Sequence, residues 1–321
     1  GTGRGGTGRS AAGRDGTGRG GTGRGAAPTR GSETPGRPGH RPAERRQVPS
    51  GLGGDQIEGR QSVRELLRAN RRPVRSLLVA DGMEVSPILD EIEALAAKRR
   101  VRVEHVPRRR LDAVARTDSS QGVVALARPV EDTPLDVMCT TSGRDRQPFL
   151  LVLDGITDPH NVGALLRSAE CAGVTGVVLP RHRSALLSPT VTKVAAGAIE
   201  YLSIAIVAGI PAALQQIARQ GVWTVGMVGE ARQSFYDLSL GDQPVAIVLG
   251  SEGAGLGALA RKRCDVLAGL PHHGALSSLN VSTAGAIACF DVARRRSAGR
   301  PRPRPPQGSS TGARSETAEV G

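Results

Sequence analysis

FLLVLDGITDPHNVGALLRSAECAGVTGVVLP, residues 149–180, carries the pattern that decides the fold. FLLVLDG (149–155) is an unbroken apolar run closed by Asp-Gly, the length of a strand and without a polar face. NVGALLRSAECAG (161–173) reads as a helix and VTGVVLP (174–180) as a second buried strand. Strands lose their polar face when helices cover both sides of a sheet, which is the situation of parallel sheets. The stretch therefore predicts an α/β domain built on a parallel sheet.

The alternation continues toward the C-terminus. A Ser/Thr-rich segment leads to a helix around 190–199, then YLSIAIV (201–207) is a strand, IPAALQQIARQG (210–221) a helix and VWTVGMVG (222–229) a strand. PVAIVLGSEGAGLG (244–257) runs from strand into a glycine-rich loop; LARKRCD (259–265), VLAGLP (266–271) and LNVSTAGAIACFDVARRR (279–296) follow as helix, strand and long final helix. Toward the N-terminus a smaller α/β unit precedes it, with helices at 59–70, 88–100 and 109–116 and strands at 74–80, 101–106 and 123–127. Ser62 is a candidate cap for the first of these helices. The expected organisation is a tail over 1–54, a small α/β domain over 55–130, a linker over 131–147, the larger domain over 148–296 and a second tail over 297–321.

The charge is spread unevenly. The chain of 321 residues has a formal charge of +13, from 43 Lys+Arg against 30 Asp+Glu. Residues 1–48 hold ten arginines and three acids, and residues 294–321 seven arginines and two acids, so the middle is nearly neutral. The ends are rich in Gly, Pro and Arg and poor in apolar residues, a composition that cannot offset the entropy of ordering. They are expected to be disordered, as RNA-contacting arms or as solvated linkers. No run approaches the length of a membrane-crossing helix, and no secretory apolar region is visible. Cys139, Cys171, Cys264 and Cys289 are spaced too irregularly for a zinc site and suit a reducing cytoplasm.

Ligands of open parallel sheets bind at the carboxyl ends of the strands. Three such loops stand out: DGITDPHNVGALLRSA (154–169), LGSEGAGLG (249–257) and LPHHGALSSLNVSTAGA (270–286). The second is glycine-rich after an apolar strand, but it lacks the G-x-G-x-x-G spacing and comes late in the domain, which argues against a nicotinamide site. Its glycines still permit close backbone approach to a ligand.

Together these loops resemble the motifs of the SpoU (TrmH-like) family of RNA 2′-O-ribose methyltransferases, within the SPOUT superfamily. DPHNVGALLRSAECAGVTGVVL resembles its first motif, LVLGSEGAGL its second and LPHHGALSSLNVSTAGAIACF its third, in order over residues 150–296. SPTVTKVAAGAIEYL, between the first two, is also similar to the family's sequence. Residues 55–128 resemble the small RNA-binding domain, similar to ribosomal protein L30e, found before this catalytic domain. The branch most similar is the one that modifies a guanosine of 23S ribosomal RNA; transfer RNA as substrate, or a non-catalytic RNA-binding assembly factor, are the alternatives. Leu-Pro-His-His replaces the Ile-Pro-Met of many members and keeps the strand–Pro–loop framework. The resemblance implies a trefoil-knotted C-terminal segment, S-adenosylmethionine as cofactor, an RNA substrate and a homodimer with its active site beside the subunit interface.

It also implies site residues. Arg167, in ALLRSA with apolar or small neighbours, suggests a partly enclosed face. By resemblance it takes the ribose 2′-hydroxyl proton, although a guanidinium hardly deprotonates; the other role is a phosphate clamp that stabilises developing charge. Asn161 is a helix cap, a site residue or both. Glu252 in its glycine-rich turn is expected to order the site or to pair with Arg167. Ser278 and Asn280, before the last helix, are caps that by resemblance also line the pocket. The family's cofactor positions fall on Gly250, Leu270 and Leu279, with backbone groups at the first two reading adenine and Leu279 packing on it. His272 and His273 are adjacent and read as loop residues touching RNA or solvent, since methyl transfer from a sulfonium needs no metal.

Overall fold

The structure is a computed structural model that describes residues 52–140, 147–241, 243–276 and 278–298. Of the tails expected over 1–54 and 297–321, residues 1–51 and 299–321 lie outside the described residues. The described chain opens within the segment expected as a tail: Leu52 is buried, and the Gly54 N–H donates to Leu187 O at 2.8 Å.

The first unit consists of β1 (Gln56–Glu58), α1 (Arg60–Ala69), β2 (Val74–Ala80), α2 (Pro87–Lys98), β3 (Arg102–Val106), α3 (Arg108–Val114) and β4 (Val123–Ala127). Its strands lie in the order β1-β4-β2-β3, with β2 and β3 parallel and β4 antiparallel to both β1 and β2. Val63, Leu66 and Leu67 are buried on α1, as their spacing predicts. Ser62 is not the cap of that helix. Gly59 occupies the cap position, and the buried Ser62 hydroxyl donates to Thr192 O at 3.1 Å. A hydroxyl inside a helix seeks a carbonyl, and here a distant one wins over the local N–H groups.

The second unit contains α4 (Leu135–Cys139), β5 (Phe149–Asp154), α5 (Pro159–Cys171), β6 (Gly176–Pro180), α6 (Pro189–Val194), β7 (Ser203–Val207), α7 (Ile210–Arg219) and β8 (Trp223–Met227). It ends with β9 (Gln233–Ser234), β10 (Val245–Gly250), α8 (Ala258–Arg263), β11 (Val266–Gly269) and α9 (Val281–Ser297). A 3-10 turn at Ala198–Glu200 extends α6. The helix α4 forms within the segment expected as a linker, because Leu135, Met138 and Cys139 are apolar and pack on the sheet.

The seven described strands of this unit lie in the order β7-β6-β5-β10-β8-β11-β9, and every recorded pairing is parallel. The period of two along β5 divides the core. Leu151 and Leu153 face α5 and α9 on one side, whereas Leu150 and Val152 face α4 and α7 on the other. The chain runs outward from β5 through β6 to β7, and later inserts β10 on the opposite flank of β5. The strand order thus reverses between β5 and β10, whose ends are in register at Asp154 and Gly250. Such a reversal opens a crevice at the carboxyl edge of a parallel sheet.

Candidate active site

The loops that leave β5 and β10 meet the start of α9 over this crevice. Asp158 caps α5 ahead of Pro159, its Oδ1 accepting from the His160 N–H at 2.9 Å. Its Oδ2 accepts from Asn161 Nδ2 at 2.8 Å, and the same nitrogen donates to Glu252 Oε1. Asn161 is buried. It is therefore not the helix cap, a role that Asp158 takes; it bridges two carboxylates.

Asn280 caps α9. Its Oδ1 accepts from the N–H groups of Ser282 at 2.8 Å and Thr283 at 3.3 Å and from the Ser282 hydroxyl at 2.5 Å. With the oxygen held by the helix end, the amide nitrogen must point outward. It donates to Asn161 Oδ1 at 3.0 Å and to Glu252 Oε1 at 3.2 Å. Three loops distant in sequence are thereby tied into one polar network.

Beside this network lies a cavity of about 870 Å3. Glu252, Ser278 and Asn280 line it, together with Gly250, Leu270 and Leu279. Six of the eight residues singled out in the sequence thus share one wall system, and Asn161 joins it through hydrogen bonds. Gly250 is required by contact: a Cβ there would stand 2.1 Å from the Gly255 carbonyl carbon and 2.2 Å from the Leu256 nitrogen. The returning backbone is fixed by the Ser251 N–H donating to Gly255 O at 3.0 Å. Glycine backbone and leucine side chains form slots suited to a flat heterocycle. At the rim, Glu230 accepts from Arg261 Nη1 at 2.7 Å. Its own backbone N–H first, and Arg261 second, hold its carboxyl below the usual carboxylate range.

Arg167 stands apart. Its side chain is exposed rather than partly enclosed, it does not line the cavity, and Glu252 binds the two amides instead of it. The cause is helical phase: Val162, Leu165, Leu166 and Ala169 form the buried side of α5, which turns Arg167 outward.

The site residues named from the sequence did not include Asp158, although it opens the first motif and its Asp-Pro pairing at a helix start is a legible capping signal. They also did not include Met227 and Val228, which line the cavity at the end of β8. His272 lines it too, while His273 does not.

Comparison with known proteins follows the same division of the chain. The sequence profile of the SpoU rRNA Methylase family matches residues 148–290, and that of the RNA 2′-O ribose methyltransferase substrate-binding domain matches residues 56–133. The 23S rRNA (guanosine-2′-O-)-methyltransferase RlmB of Pseudomonas aeruginosa is 40% identical over 245 residues, covering 75% of this chain and 97% of that protein. A crystal structure of an RNA 2′-O ribose methyltransferase superposes with TM-score 0.62 at 27% identity, covering 75% of this chain and 88% of that one. The fold is also that of the SpoU methyltransferase AviRb from Streptomyces viridochromogenes, solved with AdoMet, at TM-score 0.63 and 23% identity over 76% of this chain and 91% of that one.

Proposed function

Because the chain belongs to the SpoU rRNA methylase family, we propose that it methylates the ribose 2′-oxygen of a guanosine in 23S ribosomal RNA with S-adenosylmethionine as donor. One observation supports this above the rest. Asn161, Glu252 and Asn280 converge on one another beside a cavity walled by Gly250, Leu270 and Leu279. The residues suit the cofactor: Leu270 and Leu279 offer an apolar slot for adenine, and the carboxylates of Glu230 and Glu252 complement a sulfonium.

When bound, S-adenosylmethionine supplies an electrophilic methyl group. The chain supplies geometry and charge. The interlocked amides of Asn161 and Asn280, both bound to Glu252, hold the loops after β5, β10 and β11 in one arrangement, which would orient a ribose oxygen toward a bound methyl donor. Ser278 lines the cavity wall, and its hydroxyl is the proposed hydrogen-bond partner of the ribose. Arg167 presents a planar fork of N–H donors and no acceptor. Exposed and outside the cavity of its own chain, it acts as a clamp on an RNA phosphate and stabilises charge that develops on the 2′-oxygen, while the 2′-hydroxyl proton leaves to solvent.

The proposal includes the homodimer and the knotted threading of the C-terminal segment that the family implies. Phe290, half exposed on α9, supports a covered face there. It also includes action in the cytoplasm, where ribosomal RNA is found; among the described residues no helix is long and apolar enough to cross a membrane. The test is methyl transfer by the purified protein from labelled S-adenosylmethionine to 23S and transfer RNA. Label recovered as 2′-O-methylguanosine from 23S RNA is expected; label confined to transfer RNA, or absent, overturns the reading.

A further inference from the structure

We propose that Arg72 and Glu200 form a positioning lock that holds the substrate-binding domain at one orientation to the catalytic loops and so selects which ribose reaches the cavity. This inference rests on the methyltransferase reading above.

Arg72 follows α1 in the first domain, and Glu200 ends the 3-10 turn after α6 in the second. Arg72 Nε donates to Glu200 Oε2 at 2.8 Å and Nη2 donates to Oε1 at 2.5 Å. The two side chains are only 8% and 2% exposed. Arg72 Nη1 also donates to Gly54 O and, at 2.5 Å, to Arg128 O. One guanidinium therefore ties both ends of the first domain to a single carboxylate of the second. Ser62 to Thr192 O and the Tyr201 hydroxyl to Glu65 Oε2, at 3.1 and 2.8 Å, bridge the same seam.

Stability is a poor explanation for such a pair. Desolvation of two buried charges consumes most of their attraction, and apolar residues of similar volume commonly stabilise as well or better. What a bidentate fork adds is direction: two parallel hydrogen bonds fix an angle as well as a distance. The angle reaches the catalytic loops through close contact. A Cβ on Gly163 would stand 2.6 Å from Val194 Cβ and 3.0 Å from Val191 O, so α5 lies directly against α6 with no slack. Gly163 is two residues from Asn161, the centre of the polar network. The substrate domain, α6, α5 and Asn161 thus form one rigid sequence of contacts.

The decisive variants are Arg72→Lys, which keeps charge without the fork, and the double variant Arg72→Met/Glu200→Met, which fills the seam with apolar groups. Thermal midpoint, S-adenosylmethionine affinity, kcat and KM for 23S RNA, and the methylated positions are measured for each. The lock predicts an unchanged midpoint and cofactor affinity in the double variant, an unchanged RNA KM, and kcat lower by about tenfold or more. It also predicts methylation spread onto neighbouring riboses. Full kcat with methylation at a single position in the double variant overturns the proposal. Should the wild-type chain methylate no RNA, the methyltransferase reading fails on its own. The lock is then judged from spin-label distances between Val85→Cys and Leu259→Cys, both exposed, in a Cys171→Ser background. A distribution narrow in the wild-type pair and broad with Arg72→Met/Glu200→Met upholds it, and equal widths overturn it.

Discussion

Asn280 donates its side-chain N–H to Asn161 Oδ1 at 3.0 Å, across 119 residues of chain. The bond joins the first turns of α5 and α9, and its direction is set by the helix end that holds Asn280 Oδ1. Asn280→Ala removes cap and bridge together and is expected to destabilise the chain by about 1–2 kcal/mol, with methyl transfer reduced far more than that loss accounts for. Asn280→Asp restores the cap but sets a carboxylate against Glu252. Denaturant midpoints of Asn280→Asp near the wild type, with activity still lost, separate the bridge from the cap.

Glu252 receives two amide donors on one oxygen, Oε1. Glu252→Gln keeps the shape and removes the charge, weakening those bonds roughly by half. The expected outcome is a kcat about tenfold lower with RNA KM unchanged, read in single-turnover methyl transfer.

Gly250→Ala drives a methyl group into the Gly255–Leu256 backbone. Backbone cannot swing aside as a flexible side chain can, so the loop of residues 250–257 must shift. Loss of S-adenosylmethionine binding in calorimetry is expected, with secondary structure retained by circular dichroism.

Arg167→Ala is expected to leave thermal stability and cofactor affinity unchanged, because the side chain is exposed and outside the cavity. The catalytic efficiency on RNA falls, and the slope of log affinity against log salt decreases by about one phosphate contact. Equal efficiency of Arg167→Ala and wild type removes Arg167 from the site.

The thiols of buried Cys289 and half-buried Cys264 give a pH prediction. Burial pushes Cys289 up to about 12 from an ordinary value of 9.0, and Cys264 likewise to about 12, with Asp265 and Asp154 adding to burial there. The folded chain holds these protons more tightly than the unfolded chain. The resulting stability is complete below pH 9.0 and is lost as pH rises toward about 12. Denaturant midpoints that fall between pH 8.5 and 10.5 in the wild type, and fall less in Cys289→Ala, are expected (about 9 being the unfolded thiol value). At pH 8 the exposed Cys171 is modified by thiol reagents well ahead of Cys289.

Much of the fold was legible locally. Apolar runs located β5 and β10 to within a residue or two, because a strand buried on both faces leaves no polar alternation. Helix ends were less legible: Ser62 looks like a cap until Thr192, on a distant helix, takes its hydroxyl. The two-residue strand β9 carries no pattern at all and exists through its pairing with β11. For the site, the loops identified the residue types and their positions, but the partnership of Glu252 depends on β10 inserting beside β5. Nothing near Glu252 in sequence shows that Asn161 and Asn280 reach it before Arg167 does. The Arg72–Glu200 pair is hidden for the same reason, since 128 residues separate two ordinary-looking charges.

The most direct test of the account is a map of 2′-O-methyl positions in ribosomal and transfer RNA from cells with and without the gene. Loss of one guanosine methylation in 23S RNA, restored by the wild-type gene and not by Glu252→Gln, is the predicted result. An unchanged 23S map with a methyl missing from transfer RNA would contradict it.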